Sequence, residues 1–238
     1  MKDFKIKLHG KKLLCENTYL FTFHRPESGY EFFPGQYAYF TLPENLIFSD
    51  TDKKGISRPF SFAGSPDKEK LIIAVRENGS VFVRNILSLE QGSELYLSKP
   101  FGINISADRS DKVLVAGGIG ITPVRSLMEY YSANLPDENI TLLYFNRKRR
   151  QTAFLNEFEK WSENIPGFDF IPFIEDKTDE FWKYEFGVFT GEILMTHVEN
   201  FKNKKYYLFG SDLMDENVKR ILTENGVKEE NIITEKTN

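Results

Sequence analysis

The chain has 238 residues, of which 40% are hydrophobic and 28% are charged, and its formal net charge is −4. That length and composition are typical of a globular protein with one large domain or two of ordinary size. The acidic balance disfavours nucleic acid as a partner, because neutralising phosphates requires a clustered basic surface. The single cysteine, Cys15, excludes a disulfide framework, a cysteine-ligated zinc site and an iron–sulfur cluster within one chain.

Metal binding and membrane insertion both lack a sequence signal. His9, His24 and His197 lie far apart and show no helical metal-ligand spacing, so no metal site is predicted. Residues 1–7 alternate charged and apolar side chains and do not form the apolar core of a signal peptide. The uncharged stretch of residues 113–124 is too short and too rich in glycine to span a bilayer. The expected location is therefore the cytoplasm.

The first half of the chain carries short apolar runs that are separated by turns containing glycine or proline. The runs that predict strands are residues 5–8, 20–24, 37–42, 71–75 and 95–97. Strands at this spacing favour an antiparallel barrel or sandwich. One helix is predicted over residues 81–89, with Ser80 as its N-cap.

The second half changes to strands that alternate with helices, which predicts a parallel sheet covered on both faces. Strands are predicted over residues 112–116, 140–145, 168–174, 206–209 and 232–234. Helices are predicted over residues 122–133, 152–161, 191–198 and 214–225. A polar, unpatterned segment near residues 102–111 separates the halves, so we predict domains of residues 1–104 and 105–238.

The most informative local feature is the turn of residues 117–123, Gly-Gly-Ile-Gly-Ile-Thr-Pro, between an apolar strand and a helix. Glycines let the backbone approach a ligand closely, and a helix N-terminus favours a phosphate. Thr122 is a suitable N-cap, and Pro123 suits the first helical turn. A tight turn without a ligand is the alternative, since Pro123 replaces the third glycine of Gly-x-Gly-x-x-Gly and no P-loop lysine follows.

Three weaker segments accompany this turn. They are Ser57-Arg58-Pro59-Phe60-Ser61-Phe62-Ala63, Lys99-Pro100-Phe101-Gly102 and Phe209-Gly210-Ser211-Asp212-Leu213-Met214. Each is unremarkable alone, because an arginine followed by an aromatic residue and a serine is common in strands. Their order and spacing around the glycine-rich turn are more informative than any one of them.

Together these segments resemble the ferredoxin–NADP reductase superfamily over nearly the whole chain. The family's flavin motif, Arg-x-Tyr-Ser/Thr, reads Arg58-Pro59-Phe60-Ser61, and its loop Gly-Gly-x-Gly-[Ile/Val]-Thr-Pro matches residues 117–123 throughout. Lys99-Pro100-Phe101-Gly102 corresponds to Gly-Pro-Phe-Gly, and Asn146-Arg147 corresponds to the Asn-Arg after the second strand of the nucleotide domain. The resemblance implies an antiparallel Greek-key β-barrel that binds FAD, followed by a Rossmann-like α/β parallel-sheet domain that binds NAD(P).

The resemblance assigns roles around the flavin. Arg58 would pair with the flavin phosphate, which suits the forked geometry of a guanidinium. Phe60 stands where tyrosine is usual and would stack on the flavin ring, with Pro59 beside it. Ser61 would hydrogen-bond flavin N5, the atom that receives the hydride. Val75, at the end of a predicted strand, is also assigned to the flavin site.

A second part of the flavin site is implied at the start of the barrel helix, where the flavin pyrophosphate rests in the family. The family pattern Gly-x-x-Ser/Thr reads Gly79-Ser80-Val81-Phe82, so Phe82 occupies the hydroxyl position. Backbone N–H groups at the helix start could still hold phosphates, with Ser80 or Arg84 supplying the missing contact. The departure bears on the choice between FAD, which the resemblance favours, and FMN.

For the nucleotide, the resemblance implies that four loop residues line the nicotinamide and pyrophosphate: Gly118, Gly120, Thr122 and Pro123. Asn146 and Arg147 would lie near the adenosine ribose. The basic run of residues 147–150 could bind the 2′-phosphate of NADPH, or it could be a solvated loop. NADPH is therefore favoured over NADH without being decided.

The last motif departs most from the family, which usually reads Cys-Gly-Pro-x-x-Met. Phe209 replaces the cysteine near the nicotinamide, while Gly210, Ser211 and Met214 keep the remaining cofactor contacts. Glu235 fits the acidic position near the family C-terminus, but no terminal aromatic residue follows it to cover the flavin. Either the flavin is more open in this chain or Phe209 shields it, and we hypothesise that Ser61, Phe209 and Glu235 form the catalytic set.

The implied function is a flavin-dependent oxidoreductase that takes a hydride from NAD(P)H onto FAD. Electrons would pass to a ferredoxin, a flavodoxin, an oxygenase component or a small molecule, since the chain has no iron–sulfur domain of its own. The alternative is a non-catalytic regulatory or electron-transfer component of a larger complex. The intact 117–123 loop favours the enzyme, whereas Phe209 and the missing aromatic favour the alternative.

Overall fold

The computed structural model describes residues 4–27, 29–47, 55–134, 136 and 138–234. These residues form two six-stranded sheets, an antiparallel sheet from the first half and a parallel sheet from the second. The predicted fold class, a barrel followed by an α/β domain, is confirmed. The predicted boundary between residues 104 and 105 lies in the segment between the two sheets and stays a prediction.

The antiparallel sheet has the strand order β4-β3-β6-β1-β2-β5. Its strands are β1 (Phe4–Cys15), β2 (Thr18–His24), β3 (Tyr37–Thr41), β4 (Ser57–Ser61), β5 (Lys70–Arg76) and β6 (Glu94–Leu97). A hydrogen bond from Ala63 N to Ile72 O (2.7 Å) joins the segment after edge strand β4 to edge strand β5, so the sheet curls toward closure. β1 is longer than predicted because two register shifts let it keep pairing with β2 as far as Cys15.

The barrel interior is rich in phenylalanine. Five phenylalanines are at most 2% exposed: Phe21, Phe23, Phe40, Phe62 and Phe82. Helix α1 (Val81–Ser88) covers one end of the barrel, and the Ser80 hydroxyl caps it by accepting from Val83 N (3.3 Å). The predicted N-cap is therefore present. Burial of aromatic side chains is the main stabilising term of such a core.

The parallel sheet has the strand order β10-β9-β8-β7-β11-β12. Its strands are β7 (Lys112–Gly117), β8 (Ile140–Asn146), β9 (Phe168–Ile174), β10 (Glu185–Phe186), β11 (Lys205–Phe209) and β12 (Ile232–Thr234). The helices are α2 (Ile121–Tyr131), α3 (Leu155–Asn164), α4 (Gly191–His197) and α5 (Asp212–Glu224). The two-residue strand β10 is too short to leave a periodic signal, and the sequence did not predict it.

Helices cover both faces of this sheet, as predicted. Val124 of α2 and Phe158 of α3 pack in one apolar cluster, whereas Leu194 of α4 and Leu222 of α5 pack in the other. Because parallel strands all end at one edge, the loops after β7, β8 and β11 meet at the carboxyl edge of the sheet. Within the ranges that the structure describes, no helix combines the length and the apolar character needed to cross a bilayer.

Candidate functional site

A cleft of about 800 Å³ lies between the barrel and the carboxyl edge of the parallel sheet. This volume is in the range of small-molecule and cofactor sites. One wall is formed by β4, the end of β5 and the start of α1, and the other by the loop after β7 and the end of β11. Ten of the predicted site residues line it: Arg58, Pro59, Phe60, Ser61, Ser80, Gly120, Thr122, Pro123, Phe209 and Gly210.

The other predicted site residues do not line this cleft. They are Val75, Gly79, Val81, Phe82, Gly118, Asn146, Arg147, Ser211 and Met214. Val75 (1% exposed) and Phe82 (2% exposed) lie in the barrel core instead. Glu235 lies outside the described residues. The ten cleft residues come from four separate segments of the chain, so folding assembles the site from both halves.

The guanidinium of Arg58 is held at the barrel wall by its own strand. Its Nη1 donates to the carbonyl oxygens of Ser57 (2.7 Å) and Gly55 (3.0 Å), and the group lies 5.1 Å from the centroid of the Phe82 ring. Phe82 therefore supports Arg58 from within the core through a cation–π contact. Phe82, which stands where the family pattern has serine or threonine, therefore has a structural role in this chain.

The loop after β7 enters α2 without a break. Gly117 ends the strand, residues 118–120 form one 3₁₀ turn, and α2 begins at Ile121. The expectation that Thr122 is the N-cap is wrong: the backbone is already helical at Gly120, and the Thr122 hydroxyl donates to Ile119 O (3.2 Å). Thr122 instead lies inside the first turn, where it faces the cleft.

At Gly120 the loop after β7 contacts the end of strand β11. A Cβ atom at Gly120 would lie 1.9 Å from Phe209 O, so only glycine fits against the end of β11. Tyr144 of β8 holds the loop after β7: its hydroxyl donates to Gly118 O (3.0 Å) and accepts from Ala153 N (3.2 Å). The loop is therefore held in place by backbone and tyrosine contacts before any ligand binds.

Asn146, at the carboxyl end of β8, is buried with its side chain unsatisfied. It is 5% exposed, and within the described residues neither its amide oxygen nor its amide nitrogen has a hydrogen-bond partner. A buried polar group without a partner costs about 1–3 kcal/mol, so such groups commonly mark a ligand or water position. The sequence placed Asn146 at a nucleotide contact, and its lack of a partner is compatible with that prediction.

The basic run after Asn146 is partly engaged in ion pairs. Arg149 Nε lies 3.0 Å from Asp179 Oδ2, and Arg150 Nε lies 2.9 Å from Glu16 Oε2. Charges that are already paired with carboxylates are less available to a 2′-phosphate. Because the Arg149 and Arg150 side chains are 45% and 63% exposed, these surface pairs are weak, and the preference for NADPH stays a prediction.

Comparison with known proteins agrees with this architecture. Residues 114–220 match the family model of the oxidoreductase NAD-binding domain. The structure resembles a ferredoxin NADP+ reductase from Neisseria gonorrhoeae with bound FAD and NADP, with a TM-score of 0.82 at 19% identity, covering 99% of this chain and 98% of that one. The FAD/NAD-binding domain of nitric oxide dioxygenase from Vibrio cholerae O1 biovar El Tor gives 0.82 at 19% identity and 98% of each chain. The chain thus has the fold of these two proteins, and its residues 114–220 match an oxidoreductase NAD-binding domain.

The curated relatives that the chain matches are larger proteins. One polypeptide of the Na(+)-translocating NADH-quinone reductase of Neisseria meningitidis serogroup B is 26% identical over 154 residues, which is 62% of this chain and 38% of the relative. The corresponding polypeptide of Actinobacillus succinogenes is 26% identical over 196 residues, which is 75% of this chain and 48% of the relative. The chain thus spans less than half the length of these relatives.

Sequence reasoning missed two charged residues that line the cleft. Arg76, at the end of β5, bridges the domains: its Nη2 donates to Gln151 O (2.8 Å) and its Nε donates to Thr18 Oγ1 (3.1 Å). Asp215, in the first turn of α5, also lines the cleft. A basic residue before a turn and an acidic residue near a helix start usually lie in solvent, so neither carried a signal.

Asp215 is an acid whose ionisation the fold disfavours. Burial raises its pKa to about 6; a hydrogen bond from Gly210 N opposes the rise, and the nearby charge of Asp212 adds to it. The folded-state pKa lies above the ordinary value, so the folded protein favours the protonated carboxyl. The stability that this protonated group contributes is fully present below pH 3.8. That contribution is lost as the pH rises through about 6.

Replacing Asp215 with asparagine is expected to remove this loss. The free energy of unfolding of Asp215→Asn should exceed that of the unmodified protein by about 1–3 kcal/mol at pH 8 and by much less at pH 4. Urea unfolding followed by circular dichroism at the two pH values measures the difference. Asp169→Asn, at an exposed position of β9, is the control and should show no such dependence. An Asp215→Asn effect that is equal at both pH values would contradict the prediction.

Proposed function

We propose that this chain is an NAD(P)H-dependent flavin oxidoreductase that takes a hydride from NAD(P)H onto FAD and passes electrons to a separate acceptor. The observation that supports it is a shared cleft, which the flavin-motif strand β4 and the nucleotide loop of residues 117–123 face from opposite sides. Hydride transfer requires the two reacting rings to be in contact, so donor and acceptor sites must share one space.

The residues of the barrel wall fit a flavin nucleotide. Arg58 offers a guanidinium to a phosphate, and Phe60 offers an aromatic side chain at the cleft. The start of α1 adds backbone N–H groups next to Ser80, a residue that lines the cleft. FAD, when bound, supplies the chemistry of accepting a hydride and releasing its electrons singly. Ser61 would then orient the reacting edge of the ring through its hydroxyl.

The residues of the opposite wall fit a pyridine nucleotide. Gly120 and Thr122 present the start of α2, where backbone N–H groups and the helix dipole favour a pyrophosphate. Asn146 is a buried amide that lacks a partner, as expected for a group that a nucleotide contacts. Phe209 lines the cleft and would contribute an apolar group near the place where the two rings meet.

The acceptor is proposed by class. A ferredoxin, a flavodoxin, an oxygenase component or a small molecule would receive the electrons, since a flavin can hand them on one at a time. A second candidate function is a component of a larger electron-transfer complex. The resemblance to one polypeptide of a Na(+)-translocating NADH-quinone reductase favours that candidate.

Anaerobic mixing of the FAD-loaded protein with NADH and with NADPH tests the proposal. Bleaching of the flavin by one of the two nucleotides is the expected result, and it also identifies the preferred nucleotide. Arg58→Ala should lower the affinity for FAD about 100-fold through loss of a charge-assisted contact. Arg220→Ala, an exposed arginine that pairs with Glu224 on α5, should leave it unchanged. A protein that binds no flavin, or whose flavin neither nucleotide bleaches, would refute the proposal.

A further inference from the structure

Helix α2 binds the barrel at three consecutive residues that follow the flavin motif. Ser126 Oγ donates to Gly64 O (2.7 Å), and Glu129 Oε2 accepts from Ser65 N (2.6 Å). Arg125 Nη1 donates to Ala63 O, completing the set. Three side chains of one helix thus bind three successive backbone groups of the other domain; we call Arg125, Ser126 and Glu129 the α2 clamp.

The clamp is largely buried, with the side chain of Glu129 16% exposed, so water competes little for these contacts. Ser126 and Ala63 are 0% exposed, Ser65 is 2% exposed and Arg125 is 7% exposed. Hydrogen bonds that are shielded from water are stronger than exposed ones, and a group left without its partner at such a position has no substitute. The clamp therefore specifies one arrangement of the two domains rather than allowing them to slide.

Arg125 is itself held rigidly by α3. Its Nη2 lies 2.7 Å from Glu157 Oε2, and its guanidinium lies 4.9 Å from the Phe154 ring and 5.9 Å from the Trp161 ring. The clamp is thus fixed to the body of the nucleotide domain by an ion pair and by aromatic stacking. Because Arg125 is fixed to the nucleotide domain, the barrel segment that it binds is held at a defined position relative to that domain.

In the sequence, the clamp residues and the barrel residues that they bind both lie close to residues that line the cleft. Ala63 is two residues after Ser61 in the flavin motif, and Ser126 is three residues after Pro123 in the nucleotide loop. Three residues of helix advance by about 4.5 Å. We propose that Arg125, Ser126 and Glu129 are positioning residues, which set the distance between the flavin strand and the nucleotide loop for hydride transfer. The inference rests on the proposed function.

Stopped-flow reduction of the FAD-loaded protein by saturating NAD(P)H tests the clamp. Ser126→Ala and Glu129→Ala should lower the limiting rate constant about 10-fold, because misplacement of the reacting groups by a fraction of an ångström has effects of this order. The affinity for the nucleotide and the completeness of reduction by dithionite should stay unchanged. Glu129→Gln keeps a side-chain oxygen to accept from Ser65 N, so it should restore most of the rate. Ser132→Ala is the control: Ser132 is the exposed C-cap residue of α2, and its hydroxyl donates to the backbone oxygen of Glu129 and to no group of the barrel that is described.

A second readout does not depend on turnover. In the apoprotein, amide hydrogen exchange over residues 62–66 should accelerate in Glu129→Ala and return toward the unmodified level in Glu129→Gln. Unchanged rate constants in both alanine variants would overturn the inference, as would equal exchange in the alanine and glutamine variants. If the unmodified protein is not reduced by either nucleotide, the proposed function fails. If it is reduced and the variants match it, only the clamp fails.

Discussion

Replacing Gly120 with alanine is expected to lower the rate of flavin reduction by NAD(P)H at least about 100-fold, since a displacement near 1 Å of a reacting group has that effect. The added Cβ would lie 1.9 Å from Phe209 O and 2.6 Å from Phe209 C. Both atoms are backbone, so no side chain can move aside. Either the nucleotide loop or the end of β11 must shift, and both border the cleft.

Stopped-flow reduction of Gly120→Ala measures this effect, with circular dichroism to establish that the variant is folded. Gly10→Ala is the matched control, because a Cβ at Gly10 meets nothing within 4 Å. It should reduce its flavin at the unmodified rate. A folded Gly120→Ala protein with an unmodified rate would show that the contact between the loop and β11 does not position the nicotinamide.

The second large effect concerns stability at the opposite edge of the parallel sheet. Lys112 Nζ lies 2.9 Å from Glu138 Oε1, and both side chains are 0% exposed. Tyr131 OH also donates to Glu138 Oε1 (2.7 Å), and Lys112 Nζ donates to Asp108 O (2.8 Å). Removing the lysine would leave the buried carboxylate with only a distant counter-charge, Arg109 Nη1 at 3.9 Å from Glu138 Oε2.

Lys112→Ala is therefore expected to lower the free energy of unfolding by about 3–5 kcal/mol. Urea unfolding at neutral pH measures it. Lys204→Ala is the control: its partner Asp111 Oδ2, 2.6 Å away, belongs to a side chain that is 38% exposed, so its loss should cost less than about 1 kcal/mol. The double variant Lys112→Met/Glu138→Leu should recover most of the stability, because it removes both charges. A loss in Lys112→Ala no greater than in Lys204→Ala would contradict the prediction.

Most of the fold was predictable from the sequence because its elements carry their own periodicity. The barrel strands alternate, the parallel strands are continuous apolar runs, and turn residues separate them from the helices. The failures have local physical causes. β10 has two residues, too few for a pattern, and α3 begins at Leu155 rather than at residue 152 because Phe154 adopts a left-handed conformation with φ of 60°.

The candidate site was predictable where its residues are contiguous in sequence. Arg58, Phe60 and Ser61 share one strand, and Gly120 and Thr122 share one loop, so each group forms a readable motif. Contacts between the domains do not produce a local sequence motif. Arg125 bonds Ala63 O from a position 62 residues away, and that partner depends on how two finished domains pack together.

The central claim, that the flavin and the nicotinamide meet in one cleft, is tested most directly by reducing the FAD-loaded protein with NAD(P)H carrying deuterium at the transferred position of nicotinamide C4. We expect that the flavin bleaches anaerobically, that the deuterated nucleotide bleaches it more slowly, and that deuterium leaves the nicotinamide. A flavin that dithionite bleaches but neither nucleotide does would contradict the claim.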